Sequence, residues 1–262
     1  MVYYKLLQNR RFFMKRRRSP NVHDPRRPSR WQKWLFLFVT VTLVASIVFI
    51  SISMALAPTE PDPARPNHRV KGDYVLMLAQ CILGVFALSL PSILWRRVRL
   101  EIPSNMLILY AFFLYCAIYL GEVRAFYYNV RNWDTILHTF SGAMLGALGF
   151  SFITFLNKTD RVPVNLSPVF VSTFAFCFAV TLGVVWEIYE FTADGILHTN
   201  MQKFGLEDGT PFLGRLALAD TMKDLIVDTI GAAVMSVIGY VSLKYQKGWV
   251  EKLLLKRRHL HG

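Results

Sequence analysis

Residues 169–191 read VFVSTFAFCFAVTLGVVWEIYEF. The first eighteen carry no charge, and the run closes on Trp186-Glu187-Ile188-Tyr189-Glu190. An uncharged apolar stretch of this length reads as a membrane-crossing helix, which needs about 20 residues. Carboxylates at the edge of such a span are costly to hold there and tend to be paired or functional. Five further apolar runs, at 34–57, 74–95, 106–121, 135–156 and 222–245, have comparable length. Together they predict an all-α polytopic membrane bundle of about six transmembrane helices.

Composition agrees. Apolar residues make up 53% of the 262 and charged residues 18%, against about 25% charged in an average soluble domain. The modest mean hydropathy of +0.34 reflects basic ends diluting strongly apolar segments. The chain divides into a basic leader (1–33), a six-helix membrane domain (34–245) and a basic tail (246–262). Ala55-Leu56-Ala57 resembles a signal-peptidase site, but its apolar run is too long for a signal peptide, and an uncleaved first helix is expected.

Lysine and arginine placement sets the expected orientation. The leader, the segment after the second run, Lys158 and Arg161 after the fourth, and Lys244 with the tail together hold 22 of the 30 basic residues. All would face one side if the runs cross in succession, so both termini are expected in the cytoplasm. The net charge of +13 then reads as positive-inside bias and attraction to anionic lipid at the cytoplasmic face. No nucleic-acid partner is expected, and nothing in the sequence specifies a protein partner. Cys81, Cys116 and Cys177 lie inside apolar runs and read as packing residues. The connection 192–219, with Gly195, Gly205, Gly209 and Gly214 as turn points, is the longest.

Three polar clusters then fall at the same end of the last three spans. They are Asp134 with His138, Glu187 with Glu190, and Asp220, Asp224 and Asp228. Residues four apart share a helix face, so an imidazole and several carboxylates can meet in one pocket. Gly142-x-x-x-Gly146 and Gly231-Ala232-Ala233 offer small-residue faces for close helix approach. Gathered carboxylates need protons, a basic partner or a cation. A divalent metal is the economical solution: imidazole with carboxylates suits Zn, Mn or Fe, and carboxylates alone suit Mg. The expected ligands are His138, Glu187, Asp224 and Asp228, with Glu190 and Asp134 as orienting or general-base groups.

Bland readings stand beside this one. Acidic residues are favoured in the first turn of a helix, Glu190 can pair with Arg124, Arg131 or Lys223, and the nearby tryptophans and tyrosines fit an interfacial belt.

The motifs Trp-Asp-x-x-x-His-x-x-x-Gly at 133–142, Trp-Glu-x-x-Glu at 186–190 and Asp-Thr-Met-x-Asp-Leu-x-x-Asp-x-x-Gly-Ala at 220–232 resemble the YjdF-like family of bacterial inner-membrane proteins. The layout is also distantly similar to VanZ-like membrane proteins, with Asp228 where that pattern has Asn. The resemblance implies a compartment, the bacterial plasma membrane, and an architecture. It implies no reaction. The expected function is a metal-assisted hydrolase or transferase on a lipid or lipid-linked envelope substrate. The alternatives are a cation- or proton-coupled transporter and a non-catalytic scaffold or sensor.

Overall fold

A computed structural model describes residues 30–59, 70–98, 100–157, 166–206, 210–250, 253 and 256–257. Most of the basic leader, the Pro-rich spacer from 60 to 66, Lys158, Arg161 and much of the tail lie outside the described residues.

Helix α1 spans Arg30–Leu56, and its buried Val39, Leu43, Ser46 and Ile50 recur every three or four residues. That stripe faces the protein, while Val41, Val44, Val48, Phe49 and Ile52 face outward. In water such a surface is unfavourable; in a bilayer it is what lipid solvates. Helix α2 (Lys71–Val98) starts where the Asp73 carboxylate accepts the Val70 N–H at 2.8 Å. Helix α3 (Ser104–Leu114) passes into a π-helical segment, Tyr115–Val123. These three pack around Leu43, Cys81, Ala111, Leu114 and Ile118 as one apolar core.

A short helix α4 (Phe126–Asn129) leads into the second half, entered through Ala125 in the left-handed region. Helix α5 spans Trp133–Asn157, α6 Pro168–Leu197 and α7 Ala219–Lys244. Helix α6 begins with Ser167 accepting the Phe170 N–H and Pro168 in the first turn, a favoured start. Among the described residues six helical stretches, α3 running on through its π-helical segment, are long and apolar enough to cross a membrane. They cover the six expected spans to within one residue at the C-terminal ends of the first and last. A two-residue antiparallel pairing, β1 (Leu100–Glu101) with β2 (Lys256–Arg257), is an addition to the all-helical expectation.

The second half is held by backbone-close contacts. A Cβ on Gly142 of α5 would lie 2.3 Å from the Asp228 carbonyl oxygen of α7, and one on Gly231 would lie 2.2 Å from that of Thr139. Only glycine lets these backbones meet, as in membrane small-residue packing.

The connection before α7 is shorter than expected, because α6 continues through residues 192–197. Gly195 is helical there and is not a turn point. The chain leaves α6 at His198, left-handed with φ 56°, and Gly214 (φ +59°) turns it again toward α7.

Candidate functional site

Each of the three helices of the second half contributes a stripe to one end of the bundle. On α5 the stripe is Asp134 and His138; on α7 it is Asp220, Asp224 and Asp228. On α6, Gly183, Glu187, Glu190 and Asp194 are all buried, at spacings that keep them on one face. Gly183 matters to its neighbour: a Cβ there would sit 3.0 Å from Asp228 Oδ2.

His138 is the hub. Its Nδ1 lies 3.2 Å from Asp228 Oδ2, and the other Asp228 oxygen accepts a hydrogen bond from the Ser141 hydroxyl at 2.8 Å. In the tautomer that donates from Nδ1 to Asp228, the Nε2 lone pair points the other way. Nε2 faces Asp134 Oδ1 at 3.7 Å and Asp224 Oδ2 at 3.8 Å. One donor atom each from Asp134, His138 and Asp224 lie within 4.8 Å of one another. That spacing suits three ligands around a single ion.

Several polar atoms around the hub lack partners. Among the described residues, both oxygens of Glu187 and Oδ1 of Asp224 are buried without a hydrogen bond, on residues only 4% and 2% exposed. Buried carboxylate oxygens without donors are strongly disfavoured. Glu190 is better served, its Oε1 accepting from the Trp186 indole N–H at 2.9 Å.

Beyond these expected residues, the structure adds others. Lys203, from the segment after α6, bonds Asp134 Oδ2 and lies 3.3 Å from Asp220 Oδ2, its ammonium 5.1 Å above the Tyr127 ring. Burial alone would lower the Lys203 pKa, but Asp134 and Asp220 outweigh it and hold the ammonium above its usual range. Burial first, and then the nearby carboxylates led by Glu122, push the Tyr127 phenol well above its ordinary value. Asp194 accepts the Thr199 hydroxyl at 2.7 Å and the Met201 and Gln202 N–H groups at 2.8 and 3.0 Å. Lys203 had one sequence signal, a lysine on the acidic side of the bundle; Asp194 had its helical spacing after Glu190. Tyr127 had none.

These features define a polytopic helical membrane protein with a buried acidic and histidine-bearing pocket at one end of its second three-helix half. A family model described as "Predicted membrane protein (DUF2238)" matches residues 36–245. The chain belongs to that family, which is the YjdF-like family. An uncharacterised protein of Thermotoga maritima is 29% identical over 159 residues, covering 60% of this chain and 72% of that protein. No solved structure matches.

Proposed function

We propose that the pocket binds one divalent cation through Asp134, His138 and Asp224. In this reading the protein is a metal-assisted hydrolase or transferase of the bacterial plasma membrane, working on a lipid or lipid-linked envelope substrate. The observation that carries it is His138, held at Nδ1 by Asp228 and turned at Nε2 toward two carboxylates. Partnerless oxygens on Asp224 and Glu187 beside it support the same reading. Charge also favours a cation. Asp134, Asp220, Asp224, Asp228, Glu187 and Glu190 are gathered around one imidazole and the Lys203 ammonium, with Lys223 also acting on Asp220, and the carboxylates remain in a surplus that low-dielectric surroundings penalise.

The assignment moves Asp134 into the ligand set and makes Asp228 the group that orients the imidazole. A cation there would lower the pKa of a bound water and polarise a phosphoryl or carbonyl oxygen. Glu187 is the general base in this scheme, because its carboxylate is buried and spoken for by no donor. Glu190, bonded by Trp186, orients. The outward-facing Trp186, Ile188, Tyr189 and Phe191 beside the pocket suit a substrate that arrives along the lipid surface, and the positive-inside bias would put that surface outside the cell.

Transport is the second reading, favoured by Ser236, whose hydroxyl is buried without a partner two turns beyond Asp228 on α7. Between them Gly231 packs directly against the Thr139 carbonyl, which closes the route and favours the hydrolase.

The test is the metal content of the purified protein, by elemental mass spectrometry, for wild type, His138→Ala and Asp224→Asn. Near-stoichiometric Zn, Mn or Fe in the wild type, lost in both folded variants, is expected. Such protein should then release phosphate or alcohol from a phosphorylated-lipid panel. Wild type that takes up none of these ions on reconstitution overturns the reading.

A further inference from the structure

The segment from His198 to Leu206 does more than connect α6 to α7. Its course is fixed from within: the Asp194 carboxylate, only 7% exposed, takes three donors from Thr199, Met201 and Gln202. The Gln202 side-chain amide donates to Thr221 on α7 at 2.9 Å, and the Asn200 side-chain amide donates to the Gly205 carbonyl at 2.9 Å. Immediately after these anchors Lys203 adopts a left-handed backbone, φ 47°, a conformation that costs a non-glycine residue about 1 kcal/mol or more. A surface lysine has no need of such support. Here the support delivers an ammonium to the acidic pocket.

The ammonium has three partners, and they are not equivalent. Asp134 is shared: Oδ2 holds Lys203 while Oδ1 faces His138 Nε2 at 3.7 Å. Asp220 Oδ2, at 3.3 Å, and the face of Tyr127, at 5.1 Å, hold the same ammonium from other directions than Asp134 does. A divalent ion between Asp134, His138 and Asp224 would stand beside the ammonium on one carboxylate, and like charges at that separation repel strongly.

We propose that Lys203 is a tethered counter-ion which occupies the pocket at rest and is displaced from Asp134 when a divalent cation binds. The proposal rests on the cation reading given above. Displacement needs only a short swing, because Asp220 and the Tyr127 ring retain the ammonium once Asp134 is given up. The device neutralises part of the acidic cluster when no metal is present. It also sets a threshold: a monovalent ion gains too little from the pocket to replace an ammonium already bonded there, whereas a divalent ion gains roughly twice the Coulombic energy. The site is thereby selective for divalent over monovalent cations.

Mn²⁺ binding to the full-length detergent-purified protein, read from the loss of the free-ion EPR signal, tests this in wild type, Lys203→Met and Lys203→Arg. If the binding-competent state is a minor fraction while Lys203 holds Asp134, freeing it raises apparent affinity by the inverse of that fraction. Lys203→Met is expected to bind Mn²⁺ at least about tenfold more tightly, and Lys203→Arg to stay near wild type. A readout on the wild type alone removes dependence on how the variants fold: amide hydrogen exchange in the peptide containing residues 203–206 should quicken when Mn²⁺ is added. Wild-type Mn²⁺ binding that Lys203→Met leaves unchanged or weakens, or exchange that Mn²⁺ leaves unchanged, overturns the counter-ion role and leaves the metal site standing. No Mn²⁺ binding by any of the three proteins, together with no uptake of Zn²⁺ or Fe²⁺ on reconstitution, overturns both.

Discussion

Asp228 and His138 meet across two helices at 3.2 Å, carboxylate Oδ2 to imidazole Nδ1. Asp228 is itself fixed by Ser141, and Gly183 leaves room for it. The pair decides which imidazole nitrogen is available, and it gives Asp228 a different task from Asp134, which faces the other ring nitrogen. Replacing Asp228 with Asn keeps the shape and removes the charge that orients the ring. Metal affinity should fall about 10- to 100-fold, while His138→Ala abolishes binding; titration with Zn²⁺ against a chelating indicator separates the two.

Glu187 offers a sharper contrast. Among the described residues neither of its buried oxygens has a donor, so the group is a burden on the metal-free protein. Glu187→Gln should melt at or above wild type in the absence of metal and yet lose turnover. A fall in the metal-free melting temperature would show that the carboxylate is structural.

The contact between α5 and α7 leaves no space at Gly142, where the obstacle is the Asp228 backbone. Gly142→Ala should destabilise by about 1–3 kcal/mol, as overpacking does, and should weaken metal binding about 10- to 100-fold by parting Asp228 from His138. Gly195→Ala, with nothing within 4 Å of the new methyl, should be neutral or stabilise by about 0.5–1 kcal/mol through helix propensity. Thermal unfolding in one detergent compares them.

Asp194 should control the segment that follows it. Asp194→Ala leaves the Met201 and Gln202 amides without their acceptor, at a cost of about 1–3 kcal/mol. Exchange of those amides should quicken while the amides of α5 stay protected, as hydrogen exchange with mass spectrometry would show.

Two groups outside the spans carry a pH signature. The Tyr127 phenol is raised by burial and by neighbouring carboxylates, so in ultraviolet titration it should stay protonated after the exposed tyrosines ionise. Lys203 is raised by Asp134 and Asp220 against the effect of burial. Its folded pKa lies above its unfolded one, so its stabilising pairing is complete below the unfolded value near 10.5 and is lost only as pH rises through the higher folded value. The difference in stability between wild type and Lys203→Met should therefore be flat on the alkaline side from pH 7 to about 10.

The spans were legible because length and lack of charge are properties of a single segment. The meeting of Asp134, His138, Asp224 and Asp228 was legible too, because a four-residue spacing puts side chains on one face and three successive crossings bring their ends together. What escaped depends on contacts between distant residues. Lys203 enters the pocket 69 positions away from Asp134, through a turn that the hydrogen bonds of Asp194, Asn200 and Gln202 define. The division of labour between Asp134 and Asp228 follows from which ring nitrogen each one meets, and spacing says nothing of that. The end of α6 was misread because Thr192, Asp194 and Gly195 look like loop residues, whereas Asp194 faces inward and supports its own helix terminus.

The length of α6 has a further consequence. Its 30 residues extend about 45 Å, some 15 Å beyond the hydrocarbon thickness of a typical bilayer. Glu190, 22 residues past Pro168, lies about 33 Å along the axis; with Pro168 at one edge of the hydrocarbon, that is close to where acyl chains give way to headgroups at the other. A thicker membrane would draw the acidic pocket into hydrocarbon, and a thinner one would lift it into water. Each ångström of mismatch costs only a fraction of a kcal/mol, but hydration at a boundary changes over the same few ångströms. Acyl-chain length of the surrounding lipid thereby becomes a control on how wet, and how strongly charged, this pocket is.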